Sequence, residues 1–180
     1  GYACSWMMSI LNRKRYAAQW LYREAQLIDE WPDTPPGEGT SVRAAFDILR
    51  TIGHRPMWGP VMRPQFLSAG IESNRWARTV DELRTTIAQG VPGVLGINWY
   101  ASFDTPEKHN GEWWIGRGPL GRMRGGHGIA YCAASDRREA LQLPNSWGER
   151  YPDVWIPYDV VQRLINEDGE AGVIVDRPDA

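Results

Sequence analysis

Helical periodicity is the main feature of the first half of the chain. Residues 4–13 (CSWMMSILNR) are apolar on nearly every side, which predicts a buried helix. Residues 17–29 (AAQWLYREAQLID) combine apolar and charged positions at helical spacing and predict an amphipathic helix. Two segments rich in proline or glycine, 31–39 and 54–78, are predicted to be irregular.

Capping residues indicate two further helices. Thr40 or Ser41 can cap a helix over 42–52 (VRAAFDILRTI). The sequence TVDE at 79–82 has the form of a capping box, and the helix that it opens is predicted to end at Gly90. The pattern therefore predicts four helices before residue 91.

Strand-like patterns replace the helical periodicity in the second half. The predicted strands are 93–103, 127–135, 139–145, 153–158 and 171–176, with a short helix near 159–166. The tripeptide DRR at 136–138 predicts a hairpin turn between two of them. Helices followed by strands are typical of an α+β fold. We expect a single domain over 1–180, with a helical lobe roughly over 1–90 and a β lobe roughly over 91–180.

The composition is that of an ordinary globular protein. Its 42% hydrophobic and 23% charged residues exclude extended disorder. The formal net charge of −2 argues against a nucleic-acid binder, which would carry a basic face. No apolar run approaches the roughly 18–20 residues of a membrane span. The two cysteines, Cys4 and Cys132, are too few for a disulfide framework or a four-cysteine zinc site.

Cys4 is the first candidate for chemistry. It lies near the predicted N-terminus of a buried helix, where the helix dipole stabilises a thiolate, the nucleophilic form of cysteine. A small apolar core residue is the alternative interpretation. Cys132 lies on a predicted strand and is expected to be inert.

His127 and Asn145 could complete a nucleophilic site. His127 lies among glycines at the start of a predicted strand, so that other groups can approach its ring. The amide oxygen of Asn145 could accept from one imidazole nitrogen and turn the other toward a cysteine, with Trp147 covering that bond. Taken singly, these residues are also explained by loops and turns. His54 and His109 are expected at the surface.

The order of these residues is more specific than any one of them. A cysteine near the start, a histidine more than a hundred residues later and an asparagine 18 residues beyond it form the order expected of a papain-type catalytic set. The chain resembles the papain-like cysteine peptidases, most clearly in NSWG at 145–148 and GHG at 126–128. GEGTS at 37–41 resembles the glycine-rich segment of that family, and YAAQWL at 16–21 resembles the start of its second helix.

The resemblance implies both a fold and a mechanism. The fold would be a helical lobe packed against an antiparallel β-sheet or barrel lobe, with the active-site cleft between them. Cys4 would attack a peptide carbonyl, His127 would carry the proton and Asn145 would orient His127, with no metal or organic cofactor. The substrate would bind as an added strand. The residues implied to contact it are Glu38, Gly39, Thr40 and Gly126.

The expected function is therefore that of a cysteine endopeptidase whose partner is a peptide or protein substrate. The chain lacks the disulfide cysteines of the secreted, lysosomal branch, which implies bacterial or bacteriophage relatives. Ser5 separates Cys4 from Trp6, where the family commonly has tryptophan directly after the cysteine. The family also places an oxyanion glutamine about six residues before the cysteine, so we expect the polypeptide to extend upstream of Gly1.

Two alternatives belong to other functional classes. One is a catalytically inactive papain-like module that binds peptides or has a structural role in a larger assembly, such as that of a phage. The other keeps the cysteine–histidine chemistry and acts on the peptide cross-links of bacterial cell wall.

Overall fold

Three helices come before the strands in the computed structural model, which describes residues 1–30, 39–58, 63–64, 70–148 and 150–176. The helices are α1 (Tyr2–Asn12), α2 (Ala18–Ile28), α3 (Val42–Thr51), α4 (Val80–Ala88) and α5 (Tyr158–Asn166). The strands are β1 (Met57–Trp58), β2 (Arg63–Pro64), β3 (Ile71–Ala77), β4 (Gly93–Tyr100), β5 (Glu107–His109), β6 (Glu112–Trp114), β7 (Met123–Tyr131), β8 (Ala133–Ser135), β9 (Ala140–Leu143), β10 (Val154–Pro157) and β11 (Glu170–Asp176). Across these described ranges, no helix has both the length and the apolar character needed to cross a membrane.

The strands form two larger sheets and one small pair. The central sheet is antiparallel and has the strand order β3-β11-β4-β7. The second sheet has the order β5-β6-β10-β9-β8 and is antiparallel except where β10 meets β6, at Trp155 and Trp114. β1 and β2 pair antiparallel with each other. Both larger sheets are open. Of the two forms that the resemblance implies for the β lobe, the barrel is therefore wrong and the sheet is confirmed.

The predicted helices and most predicted strands are confirmed to within a few residues, including the turn at 136–138 between β8 and β9. The described part of 54–78, predicted to be irregular, contains β1, β2 and β3 instead, and β5 and β6 also lie where no strand is predicted. Only the two ends of β3, Ile71 and Ala77, are buried, so its sequence has no period-two pattern. Pairing with β11 stabilises this strand, and that partner lies almost a hundred residues away.

Two hydrophobic clusters cover the central sheet. The helical cluster consists of Ala3, Cys4, Met7, Met8, Tyr16, Leu21, Ala25, Val42, Ala44, Ala45, Phe46, Ile48, Leu49, Ile71, Val94 and Ile174. The sheet cluster consists of Ala77, Val80, Leu83, Leu95, Ile97, Trp99, Phe103, Ile115, Leu120, Ile129, Tyr131, Leu141, Leu143, Tyr151, Val154, Ile156, Val161, Leu164, Ile165, Ala171 and Val173.

The two clusters lie on opposite faces of the central sheet. Val94 and Leu95 are neighbours on β4, and successive side chains of a strand point to opposite faces. Val94 belongs to the helical cluster and Leu95 to the sheet cluster. The central sheet is therefore the middle layer between α1–α3 on one side and α4, α5 and the second sheet on the other.

His54 is buried, contrary to the expectation of a surface position. Gly53 has a φ of 93°, which turns the chain back after α3. The imidazole of His54 stacks against Tyr16 and Trp20 and is 0% exposed. Burial lowers its pKa to about 3. His109, on β5, is exposed as predicted.

Candidate active site

Cys4 lies in the first turn of α1, on the face that packs into the helical cluster. Only 1% of its surface is exposed. The first helical hydrogen bond runs from the N–H of Ser5 to the carbonyl of Gly1 at 3.0 Å, so the N–H of Cys4 lies outside the helical ladder. Burial raises the pKa of the Cys4 thiol, because the low-polarity surroundings disfavour the thiolate. The helix start thus holds a neutral thiol rather than a preformed thiolate.

Glycines bring the starts of α1 and α3 onto the central sheet beside His127. A β-carbon on Gly128 would lie 3.8 Å from the β-carbon of Ala3, at ordinary contact distance. Gly96 pairs with Gly128 across β4 and β7. A β-carbon on Gly96 would come within 2.8 Å of Val42 Cγ2, so a side chain there would push α3 away from the sheet. The residue before Cys4 therefore packs against the residue after His127.

His127 is held by Asn145. The Nε2–H of His127 donates to Asn145 Oδ1 at 3.3 Å, and Asn145 is 8% exposed just after β9. An amide oxygen can only accept, so this bond places the ring proton on Nε2 and leaves Nδ1 with its lone pair. The nitrogen that remains available is the one a general base needs.

The charge state of the site follows from burial. Burial lowers the pKa of His127, while the bond to Asn145 opposes this shift. Since the pKa of the Cys4 thiol is raised, both shifts favour a neutral thiol beside a neutral imidazole. Among the described residues, no hydrogen bond joins the Cys4 thiol to His127. A reaction here would therefore move the proton as the sulfur attacks rather than beforehand.

Two tryptophans contact the imidazole of His127. The ring centroid of Trp147 lies 4.9 Å from that of His127, and the centroid of Trp99 lies 4.5 Å away. The two indoles also contact each other, at 5.2 Å. Trp147 is 46% exposed, whereas Trp99 is 4% exposed on β4. The sequence motif indicates Trp147 but not Trp99. The one sequence feature that points to further tryptophans in the site is their number, ten in the chain.

Asp104 fixes the position of Trp99. Its Oδ1 accepts from Trp99 Nε1–H at 2.8 Å, and its Oδ2 accepts from Arg124 at 2.7 Å. The negative charge of Asp104 also opposes the lowering of the His127 pKa by burial. Asp104 lies in the short helical turn Ala101–Asp104 after β4, where the sequence pattern predicts the end of a strand. The hydrogen bonds of Asp104 to Trp99 and Arg124 therefore could not be predicted from the sequence pattern.

A cavity of about 800 Å³ joins most of the predicted site residues. Those that line it are Cys4, Gly39, Thr40, Gly126, His127 and Trp147. Asn145 lies behind His127 and contacts it through the hydrogen bond to Nε2. Glu38 lies outside the described residues. The helical and sheet parts of the chain thus contribute to one cleft.

Gly39 is already engaged at the rim of this cavity. Its N–H donates to the hydroxyl of Tyr22 at 2.9 Å, and its carbonyl accepts from Gln26 at 3.1 Å. Both partners lie on α2, so Gly39 ties the segment before α3 to that helix. Thr40 also lines the cavity, and its hydroxyl is buried without a hydrogen-bond partner among the described residues.

Carboxylates give the cavity a negative wall. The acidic residues in its lining are Glu30, Glu167, Asp168 and Glu170, and no lysine or arginine of the described chain joins them. Glu167 accepts from Arg163 at 2.7 Å, and Glu170 lies 3.7 Å from Arg43. Within the described ranges, no group of three histidine, cysteine or acidic side chains is arranged to hold a metal ion.

Comparisons with known proteins identify the class of fold. No protein-family model and no curated protein sequence matches the chain. The structure is similar to that of xylellain, a cysteine protease from Xylella fastidiosa, with a TM-score of 0.64 and 17% sequence identity over 96% of this chain and 76% of xylellain. The chain therefore has the fold of a cysteine protease, an α+β arrangement with open sheets.

Proposed function

We propose that the protein is a papain-like cysteine endopeptidase in which Cys4 is the nucleophile, His127 the general base and acid, and Asn145 the residue that orients His127. The observation that carries the proposal is the bond from His127 Nε2–H to Asn145 Oδ1, at 3.3 Å, beside a cavity that Cys4 also lines. This bond leaves Nδ1 as the base. The shared fold with a cysteine protease supports the same chemistry.

The reaction follows from these groups. The sulfur of Cys4 bonds to the peptide carbonyl carbon as its proton moves to Nδ1 of His127. The oxyanion that forms faces the helix N-terminus, where the N–H of Cys4 lies outside the helical ladder and can donate to it. His127 then gives the proton to the leaving amine as the C–N bond breaks. Water, deprotonated by Nδ1, hydrolyses the thioester and restores the thiol, so no cofactor is consumed.

An extended peptide would lie along the cleft between α3 and β7. Thr40 and Gly126 both line the cavity, and Gly39 would hold the rim through its bonds to α2. Glu38 is proposed as a further contact from its position in the glycine-rich segment. Gly126 has open space around its α-carbon, so a substrate backbone could approach closely.

One observation favours the alternative of an inactive, peptide-binding module. Cys4 is only 1% exposed and its thiol pKa is raised by burial, which is unfavourable for a nucleophile. The two functions differ in the reactivity of this one sulfur. A peptidase for cell-wall cross-links would share that reactivity and differ only in its substrate.

Labelling with a thiol-reactive epoxide, followed by mass spectrometry, tests the proposal. The peptidase requires stoichiometric labelling at Cys4 and hydrolysis of a mixed peptide library, both abolished in Cys4→Ala. Cys132→Ser is the matched control, because Cys132 is half-buried with a pKa raised to about 11, and the variant should keep full turnover per folded molecule. Binding of peptides without labelling or turnover would indicate the inactive module. Loss of turbidity of purified peptidoglycan without hydrolysis of the library would indicate the cell-wall enzyme.

A further inference from the structure

Ser5, the residue after Cys4, makes a buried hydrogen bond to His54. Its Oγ lies 2.6 Å from His54 Nε2. Ser5 is 3% exposed and His54 is 0% exposed, so water does not compete for this bond. His54 follows α3, and the bond therefore joins the first turn of α1 to the segment that leaves α3.

The direction of this bond is determined by the other ring nitrogen. His54 Nδ1 accepts from the backbone N–H of Arg55 at 2.9 Å, so the proton of the neutral ring is on Nε2 and is donated to Ser5 Oγ. Tyr16 stacks on the ring with centroids 4.8 Å apart, and Trp20 stacks at 5.7 Å. Two hydrogen bonds and two aromatic faces thus fix the plane and the rotation of the imidazole.

Apart from the bond of Ser5 to His54, the described side-chain contacts of α1 near Cys4 are apolar or aromatic, such as the pairing of the Tyr2 and Tyr22 rings. The buried contacts of α1 there come from Ala3, Met7 and Met8, which are apolar and, for the methionines, adaptable in shape. Such contacts favour burial of one face but tolerate small rotations and shifts of the helix. A directional polar bond inside an apolar interface selects one register, as polar residues do in the cores of coiled coils.

We propose that Ser5 and His54 are positioning residues that hold α1 at the rotation and height at which the Cys4 sulfur reaches Nδ1 of His127. This inference rests on the proposed function. Neither residue lines the cavity, so neither would touch the substrate. Residues in a helix are about 100° and 1.5 Å apart, so an anchor on Ser5 constrains Cys4 directly. A displacement of about 1 Å at a reacting atom costs on the order of a hundredfold in rate.

Three variants in a Cys132→Ser background test the positioning role. Ser5→Ala removes the acceptor and His54→Phe removes the donor while keeping an aromatic ring between Tyr16 and Trp20. The double variant removes both groups of the Ser5–His54 bond and leaves only the N–H of Arg55 without its acceptor, as His54→Phe alone already does. Its stability should therefore recover above that of His54→Phe, toward that of the parent. His54→Gln is the conservative control, because its amide nitrogen can reach the position of Nε2 and donate to Ser5.

The readouts are kcat, KM and the midpoint of urea unfolding. We expect both single variants and the double variant to lower kcat by about ten- to a hundredfold with KM changed by less than about twofold. We expect His54→Gln to recover most of kcat. A purely structural role predicts instead that kcat recovers together with stability in the double variant, and that result would overturn the proposal.

The pH dependence of Cys4 alkylation by iodoacetamide separates this inference from the proposed function. If His127 assists Cys4, the parent profile differs from that of a His127→Ala variant; if the two profiles coincide, the proposed function itself fails. When the parent profile does show assistance, the anchor variants should move it toward the His127→Ala profile. An unchanged profile in Ser5→Ala would refute the positioning role while leaving the peptidase proposal intact.

Discussion

The indole of Trp99 meets the imidazole of His127 edge-on, with ring centroids 4.5 Å apart. Trp147 contacts the same imidazole at 4.9 Å, and Asn145 accepts its Nε2–H. Aromatic pairs favour such edge-to-face geometry because the positive ring edge faces the negative ring face. The ring of His127 is therefore restrained on several sides, and Nδ1 is the nitrogen that the bond to Asn145 leaves available.

Two variants of Asp104 distinguish the effect of holding Trp99 in place from the effect of the negative charge of Asp104 on His127. Asp104→Asn keeps an oxygen acceptor for the indole N–H but removes the negative charge that raises the pKa of His127 against the effect of burial. We expect kcat to stay within about threefold while the acid limb of the pH–rate profile moves to lower pH, because a lower pKa keeps His127 neutral in more acidic solution. Asp104→Ala, which also frees Trp99 and Arg124, should lower kcat by about tenfold. Equal kcat in both variants would contradict the positioning of His127 by Trp99.

A variant of Asn145 tests the opposite change, the addition of a negative charge next to His127. Asn145→Asp keeps an oxygen acceptor for His127 and adds a negative charge, which favours the imidazolium. We expect the acid limb of kcat/KM to move up by about one pH unit or more, with activity retained above it. Asn145→Ala should lower kcat by about a hundredfold without that shift, because the ring tautomer is no longer fixed. Pre-steady-state and pH–rate measurements on both variants check this, and an unshifted limb in Asn145→Asp would place the base elsewhere.

Much of the fold could be predicted because local signals agree with it. The capping box at Thr79 and Glu82 is formed in the structure, and Ser41 caps α3. The turn at 136–138 likewise follows from its own residues. By contrast, β3 shows no local pattern, since it depends on pairing with β11. An assignment from local periodicity cannot detect such a strand.

The same distinction applies to the candidate site. The tetrapeptide NSWG and the order of cysteine, histidine and asparagine indicate which residues to examine, and the structure places Asn145 on His127. The contacts of His54 depend on Tyr16, which precedes α2, and on Trp20 of α2, and both reach it only through packing against the segment after α3. A histidine after a helix-ending glycine has the sequence signature of a surface residue, so its burial could not be anticipated.

His54 should make stability depend on pH. Its pKa is about 3 when folded and near 6.5 when unfolded, so the unfolded chain binds the extra proton between these values. Stability from this group is therefore present above pH 6.5 and is lost as the pH falls toward 3. Protonation of Nδ1 would set its N–H against the N–H of Arg55, which gives the physical reason.

The free energy of unfolding should fall by about 1.5 kcal/mol between pH 6.5 and pH 5, because its slope approaches about 1.4 kcal/mol per pH unit. Urea unfolding at a series of pH values measures it, and the His54→Phe variant is the control that lacks this contribution. The difference between the two slopes isolates His54 from His127, whose pKa is also lowered by burial. Parallel slopes would mean that His54 is protonated in the folded protein.

The acidic lining predicts a preference for basic substrates. Peptides with arginine or lysine near the cleaved bond should have a kcat/KM about tenfold above that of otherwise identical peptides with glutamate, and the difference should shrink at high salt. Asp168→Asn should reduce the preference, since asparagine tolerates the φ of 66° at this position. Glu107→Gln, on β5 outside the cavity lining, is the charge-matched control and should leave the preference unchanged. Equal rates for both peptide series would refute the prediction.

The division of the interior into two clusters has a consequence for heat inactivation. Cys4 is packed in the helical cluster, whereas Trp99 beside His127 is packed in the sheet cluster. Partial opening of α1–α3 would separate the sulfur from the imidazole while leaving the second sheet intact. Turnover thus depends on the contact between the helical cluster and the sheet cluster. It should be lost on warming before the far-ultraviolet circular dichroism signal falls. The lifetime of the activity would then depend on the packing of the helical cluster, and stabilising the sheet cluster alone would not extend it.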